Sequence, residues 1–274
     1  MIEALQFEFM QNALLAGLLI SVACGIIGSL VVVNRMVFIS GGVAHAAYGG
    51  IGLAFFLGIP PLLGAGLFSV AAAFLMGALS LRHRHRTDTI IGAVWAAGMA
   101  AGIIFIDMTP GYGADLMSYL FGSILTVPKT DLWIMLGIDA VVIAAAAGLY
   151  KQFLAMSYDE EFASLRGVPV KPLYFLLLVL ASLTVVMTMR AVGLILVIAL
   201  LTVPQFIAER WAKTLAGMMV FSCIFGSIFT VLGLWLSFSL NLTSGASIIM
   251  VATVTLFVWL AVEYAVKSLR NHAD

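Results

Sequence analysis

Residues 172–208 read PLYFLLLVLASLTVVMTMRAVGLILVIALLTVPQFIA, and this stretch decides the fold class. A single charged side chain, that of Arg190, interrupts it. Because about 20 apolar residues span a bilayer as a helix, the stretch is long enough for one membrane helix and much of a second. Its breaks are Met189-Arg190-Ala191 and Gly193. They are compatible with a hairpin or with a partly re-entrant segment.

The composition of the whole chain agrees with a membrane protein. Of its 274 residues, 63% are hydrophobic and 9% are charged, and the mean hydropathy is +1.16. Soluble domains are about 45–50% apolar and about 25% charged. The formal net charge is zero, so the chain has no excess of basic residues for binding nucleic acid. Nucleic acid is therefore not expected as a partner. The chain is predicted to be an integral membrane protein.

The same hydropathy argument predicts an all-α, polytopic fold with about 8–9 transmembrane helices in one membrane domain, residues 1–274. The doubtful span is 191–208, which belongs to the stretch quoted above. The predicted spans cover about 10–33, 38–58, 61–81, 89–108, 131–150, 172–189, 191–208, 213–237 and 246–266.

The distribution of basic residues predicts the orientation. Cytoplasmic connections of membrane proteins carry an excess of Lys and Arg. With nine crossings, eleven of the 13 basic residues fall on one side, and Lys129 and Arg190 fall on the other. We therefore expect the N-terminus outside and the C-terminus in the cytoplasm.

Two connections are long enough to form structure of their own. The outer one, residues 109–130, is predicted to contain a short helix between Asp115 and Val127 that cannot cross the membrane. The inner one contains a predicted short helix over 157–168. Its acidic start at Asp159 suits a helix N-terminus, and Gly167 followed by Pro169 suits its end.

Histidine 45 is the first candidate for function, because ionisable groups inside a span are costly and are therefore functional candidates. The small residues of SGGVAHAAYGG around it let a neighbouring helix or a ligand approach closely. Imidazole is a common ligand of zinc, iron and similar metals. The alternative is a neutral histidine that is hydrogen-bonded to a neighbouring helix.

Three further polar residues lie in predicted spans. Thr202 and Gln205 flank Pro204, whose ring breaks a helix and frees backbone carbonyls, as in helices that line cavities. A simple kink is the alternative. Asp139 lies on an otherwise apolar helix and must face protein or water, in a structural or a transport role.

Several segments resemble the permease subunit of ABC-type transporters that import zinc, manganese or iron, and the similarity covers nearly the whole chain. They are NRMVFISGGVAHAAYGG, DTIIGAVWAAGMAAGIIF with DLMSYLFGSIL, DEEFASLRGVPV, and VGLILVIALLTVP with LTSGASIIMVATVTLF. The inner-loop pattern of Asp159, Glu161, Ala163 and Gly167 is the most specific of them.

The resemblance implies an ABC importer permease in the cytoplasmic (inner) membrane of a bacterium or archaeon. It implies that residues 157–168 form a coupling helix, which docks onto a separate ATPase subunit through Asp159, Glu161, Ala163 and Gly167. The chain itself is then not an enzyme, and no P-loop or other nucleotide motif occurs in it. The implied partners are the ATPase, an extracytoplasmic metal-binding protein, a second copy of the chain and the lipid bilayer.

The same resemblance implies a transported divalent metal ion, ATP on the partner subunit and no tightly bound cofactor. The metal pathway would follow the axis of a homodimer. His45 is its first expected ligand, with Gln205, Thr202 and Asp139 as transient oxygen donors.

The sequence departs from the family at Gly41, where an aspartate usually stands one helical turn before the histidine. A histidine site without carboxylate favours softer or borderline ions over manganese, unless Asp139 or Gln205 supplies oxygen. A permease for a metal chelate is one alternative, and it would need more than nine membrane helices. A secondary transporter or channel would need an inverted repeat and midplane carboxylates. An intramembrane enzyme would need a catalytic dyad, and none stands out in the sequence.

Overall fold

The computed structural model describes residues 6–109 and 122–271, which form a bundle of α-helices. No strand occurs in these two ranges. The helices are α1 (Glu8–Val33), α2 (Val37–Leu57), α3 (Pro61–Arg82), α4 (Thr87–Asp107), α5 (Lys129–Gly148), α6 (Tyr150–Tyr158), α7 (Glu160–Leu165), α8 (Val170–Leu200), α9 (Val203–Trp211), α10 (Leu215–Leu240) and α11 (Ser244–Asn271).

Eight helices in the described part of the chain are long and apolar enough to cross a membrane. They are α1 to α5, the Val170–Met189 part of α8, α10, and α11 as far as Ser268. The predicted all-α, polytopic fold is confirmed.

The doubtful segment 191–208 is not one continuous helix, because it is broken twice. Gly193 has φ 78° and ψ 167°, a conformation open to glycine, and it kinks α8. The helix ends at Leu200, and α9 begins at Val203 with Pro204 in its first turn, where a missing N–H costs nothing. The segment is therefore a kinked helix end followed by a short helix of nine residues.

This broken segment still runs along the length of α1. The backbones of Gly193 and Gly122 are in close contact, and Ile124 lies beside Gly17 in the first half of α1. Farther along, the Gln205 side chain lies against Gly28 of α1. Residues 212–215 then line a cavity with Val33, the last residue of α1. The chain therefore returns to the end of the bundle at which α1 finishes.

Helix α10 then packs antiparallel to α1 through small and polar residues. Gly17 lies against Thr230, whereas Gly25, farther along α1, lies against Cys223. The hydroxyls of Ser29 and Ser222 are 3.3 Å apart. Small residues let the two backbones approach closely, and this packing is typical of helices in membranes. Helix α11 in turn packs antiparallel to α10 and therefore runs in the same direction as α1. The start of α1 and the end of α11 thus lie at opposite ends of the bundle.

Helix α2 is held between α3 and α4 by contacts between glycine backbones. Gly50 contacts Gly64 of α3, and Gly52 contacts Gly102 of α4. A Cβ atom at any of these positions would overlap the backbone of the neighbouring helix. This packing fixes the position of α2 and therefore of His45.

The outer connection is only partly described. Most of the short helix predicted between Asp115 and Val127 falls on residues 110–121, which lie outside the described ranges. Its last part forms one 3-10 turn, Ile124–Thr126, with Ile124 fully buried. At the same end of the bundle, Lys129 Nζ lies 2.8 Å from Glu8 Oε1, so the starts of α1 and α5 meet there.

Candidate functional site

His45 lies on α2, and its ring stacks on the indole of Trp95 from α4. The ring centroids are 4.0 Å apart and the planes differ by 11°. The indole Nε1 donates a hydrogen bond to Met99 Sδ at 3.0 Å, which orients Trp95. The Nδ1 atom of His45 is buried and has no hydrogen-bond partner among the described residues. The histidine is thus held by its ring face and has a nitrogen free to bind a ligand.

Trp95 is not among the candidate residues predicted from the sequence. It lies near the middle of α4, Thr87–Asp107, in the run AVWAAGMAAG. Tryptophan in membrane helices is enriched at the two interfaces with water. A tryptophan in the middle of a span, among small residues, is therefore unusual, and this position could have identified Trp95 from the sequence.

Gly41 lies one turn before His45 and faces the segment that follows the kink at Gly193. A Cβ at Gly41 would lie 3.5 Å from Cδ1 of Ile198, an ordinary contact distance. A Cβ atom therefore fits at this position beside the Ile198 side chain. The position next to His45 therefore offers an aliphatic wall where the family usually has a carboxylate.

Gln205 lies in the first turn of α9, is fully buried and ties this helix to α1. Its Nε2 donates to the carbonyl oxygens of Cys24, at 2.7 Å, and Leu200, at 3.0 Å. Its Oε1 has no partner in the described part of the protein. The nearby Thr202 hydroxyl donates to the Ile198 carbonyl at 2.7 Å. Both side chains satisfy carbonyls freed at the break between α8 and α9.

Asp139 lies on α5 and is 3% exposed. Neither carboxylate oxygen has a hydrogen-bond partner within residues 6–109 and 122–271. The carboxylate therefore faces the interior of the bundle, where an unpaired charge is costly.

The structure separates His45 from Thr202 and Gln205 within the single chain. Gln205 donates to the Cys24 carbonyl of α1, His45 stacks on Trp95 of α4, and Asp139 lies on α5. Gly41 faces Ile198, so these two residues lie at the same level of the bundle. His45 lies one helical turn from this level, toward the end at which α1 starts, and Thr202 lies one turn from it in the opposite direction. This places His45 and Thr202 about 11 Å apart along the bundle. In the described residues no three His, Cys, Asp or Glu side chains are grouped to hold an ion.

The inner connection forms two helices, and the second, α7, has a cap at each end. The Asp159 carboxylate accepts a hydrogen bond from the Phe162 amide at 2.9 Å. At the other end Gly167 adopts φ 81°, and the Val168 amide donates to the Ala163 carbonyl at 3.0 Å, as in a Schellman motif. Within the predicted range 157–168 the structure has the short helix Glu160–Leu165, whereas Tyr158 ends the preceding helix α6.

Helix α7 buries one side and exposes the other. Ala163 is 1% exposed and packs into the core, whereas Glu161 is exposed. Leu165 is 87% exposed and Phe162 is 55% exposed, with the guanidinium of Arg166 5.1 Å from the Phe162 ring. Large apolar side chains exposed on a short, capped helix form a surface suited to another protein.

Comparisons with known proteins agree with this geometry. Residues 6–263 match the ABC 3 transport family. The chain is 53% identical to an uncharacterized membrane protein of Synechocystis, over 95% of this chain and 93% of that protein. It is 34% identical to the manganese transport system membrane protein MntC of Listeria monocytogenes, over 93% of this chain and 90% of that one.

Two solved structures share the fold. PsaBC from Streptococcus pneumoniae, solved in complex with a Fab, matches with a TM-score of 0.85 at 34% identity, over 94% of this chain and 93% of that chain. An inward-facing ABC transporter of the metal-chelate type matches with a TM-score of 0.70 at 17% identity, which shows a common fold only. The resemblance seen in the sequence is confirmed: the chain belongs to the ABC 3 transport family, as a membrane permease subunit and not an enzyme.

Proposed function

We propose that this chain is the permease of an ATP-driven importer for a divalent transition metal: zinc, manganese or iron. The observation that carries the proposal is α7, a capped helix with an exposed apolar face on a chain that has no nucleotide-binding motif. Such a chain needs a second subunit to hydrolyse ATP, and α7 offers the contact through the exposed residues Asp159, Glu161 and Gly167. The fourth predicted coupling residue, Ala163, is buried and instead holds α7 against the bundle. The relatives named for manganese transport support a metal as the cargo.

His45 is the proposed first ligand on the metal pathway. Its ring is fixed against Trp95, and Nδ1 has no partner in the described part of the chain. Stripping water from a divalent cation is costly, so polar atoms must line the route. A neutral imidazole binds the ion without leaving a buried charge after release.

A homodimer supplies the other donors in this proposal. Helix α4 carries small side chains over two turns on the face that points away from α2, and all are exposed in the single chain. They are Ala93, Ala96, Ala97 and Ala100. Small residues allow a second membrane helix to approach closely. The resemblance implies that the metal pathway follows the axis of such a homodimer, with His45 of each copy as first ligand and Gln205, Thr202 and Asp139 as oxygen donors.

A metal chelate is the second candidate cargo, and the fold shared with a metal-chelate type transporter is the observation that favours it. A permease for a metal chelate is expected to need more than nine membrane helices. The eight candidate spans in the described residues therefore support a bare ion.

We further propose that the protein lies in a bacterial cytoplasmic membrane with the N-terminus outside and the C-terminus inside. The opposite placement of the start of α1 and the end of α11 supports this orientation. Arg210, Lys213 and the basic residues near α6 and α7 would then face the cytoplasm, as the positive-inside rule requires.

Labelling of single cysteines tests the orientation. With Cys24 and Cys223 replaced by alanine, Asn241→Cys should react with a membrane-impermeant thiol reagent on intact cells. Ser164→Cys on α7 should react only after the cells are opened. Both positions are exposed in the structure. Reaction of Ser164→Cys on intact cells would reverse the proposed orientation.

Transport in proteoliposomes tests the function. The chain should co-purify with an ABC ATPase from its own cell. With that ATPase, the extracytoplasmic binding protein and ATP, it should accumulate one of the radioactive ions Mn²⁺, Zn²⁺ or Fe²⁺. Competition among the three ions identifies the cargo. The proposal is wrong if the chain isolates without an ATPase, or if ATP drives uptake of none of the three.

A further inference from the structure

A cavity of about 230 Å³ lies at the end of the bundle that carries α7. Its walls come from the ends of four helices, α1, α6, α9 and α10. Two hydrogen bonds hold these walls together. Asn34 Nδ2 donates to the Ser157 hydroxyl at 2.8 Å, and the Ala216 amide donates to the Tyr150 hydroxyl at 3.1 Å. The cavity is therefore a built feature of the fold.

The cavity is continuous with the exposed face of α7. Tyr158 is on its wall, immediately precedes the cap residue Asp159 and is 93% exposed. Leu154, one turn earlier on α6, also lines the cavity and is 42% exposed. Exposed aromatic and aliphatic groups thus extend from Leu165 and Phe162 into the cavity.

The rim of the cavity carries one charge of each sign. Glu209 lies in the last turn of α9 and Lys213 follows this helix in the linker to α10, and both are exposed. Within residues 6–109 and 122–271 neither forms an ion pair. Unpaired charges around an apolar centre are typical of protein interfaces, where they fix the register of the partner.

Helix α9 connects this rim to the interior of the bundle. Glu209 lies near its end, and Gln205, one turn earlier, is bonded to the Cys24 carbonyl of α1. Nine helical residues are about 13 Å long and move as one rigid unit. A force applied at Lys213 or Glu209 therefore reaches the break at Thr202 without passing through α7.

From these contacts we infer that the cavity is a second docking site for the same ATPase subunit that binds α7, a conclusion that rests on the proposed function. An apolar side chain of the ATPase fills the space between Leu154, Tyr158 and Met218. Charged groups of the ATPase pair with Glu209 and Lys213. Movement of the ATPase then shifts α9 directly and with it the hydrogen bonds of Gln205.

Photo-cross-linking in the complete permease–ATPase complex tests this inference. A photo-activatable benzophenone amino acid is placed at position 213, at position 165 on α7 and at position 241. Asn241 is the control, because it is exposed and lies between α10 and α11, at the end of the bundle opposite to α7. Positions 213 and 165 should each give a permease–ATPase adduct, and position 241 should give none.

The possible outcomes separate the two proposals. An adduct from position 165 without one from 213 overturns the second docking site and leaves the proposed function standing. If neither position 213 nor position 165 gives an ATPase adduct, the result counts against the second docking site and against the proposed function. An adduct from 213 to lipid or to a second permease copy would show another occupant and would also overturn the inference.

A charge reversal tests the connection through α9. Lys213→Glu should lower metal uptake per ATP hydrolysed, while the adduct from position 165 persists. Lys151→Glu, an exposed change on α6 outside the cavity, should leave this ratio unchanged. An unchanged ratio in Lys213→Glu would show that α9 does not transmit the movement.

Discussion

Replacing His45 with alanine should reduce ATP-driven metal uptake at least about tenfold, since even partners of metal ligands cost 10–100-fold when they are removed. In the proposed pathway the imidazole is the first group that replaces water around the ion. No described carboxylate or thiol cluster could substitute for it. Uptake into proteoliposomes, compared with the wild type at equal permease content, gives the measurement.

The same variant should still fold and bind the ATPase. It loses the stack on Trp95, and an aromatic pair is worth about 0.5–1.5 kcal/mol beyond its buried area. The glycine contacts of α2 with α3 and α4 do not involve the imidazole. His83→Ala, a histidine in the exposed connection after α3, is the matched control and should transport normally. Normal uptake by His45→Ala, or failure of that variant to assemble, would show that His45 is a packing residue for Trp95.

The double variant Glu161→Lys with Gly167→Val should separate ATP hydrolysis from transport. Glu161 is exposed on α7, so reversing its charge changes the surface offered to the ATPase. Valine at φ 81° is strained by about 1–2 kcal/mol, which opens the C-terminal cap of α7. We expect at least about a tenfold loss of uptake, as for residues at the centre of an interface.

The double variant should leave the membrane bundle intact, because a Cβ at Gly167 would meet no other atom within 4 Å. The purified variant should therefore unfold near the wild-type temperature. Asp88→Lys, an exposed charge reversal at the start of α4, is the matched control and should keep ATP hydrolysis and uptake coupled. Wild-type uptake by the double variant would remove α7 from the coupling role.

The ends of α7 and most membrane helices were predictable from the sequence because their causes are local. An apolar run of about 20 residues satisfies its own backbone hydrogen bonds, and no distant residue is needed to make it a helix. The cap at Asp159 and the left-handed Gly167 likewise depend on neighbours within five residues. Residues 191–208 stayed doubtful, because hydropathy measures how apolar a segment is and does not register the contact of Gly193 with Gly122 that accompanies the kink.

The sequence by itself determined that this chain is a helical membrane protein with a short capped helix between two spans, and that His45 is an ionisable group placed inside a span. Only the tertiary structure decided that His45 stacks on Trp95, that Gln205 ties α9 to Cys24, and that four helix ends enclose a cavity beside α7. Each of these contacts joins residues far apart in the chain. These contacts depend on which helices pack together. Pairs of glycine and serine residues on different helices determine that packing, and the sequence of one segment does not show which partner it meets.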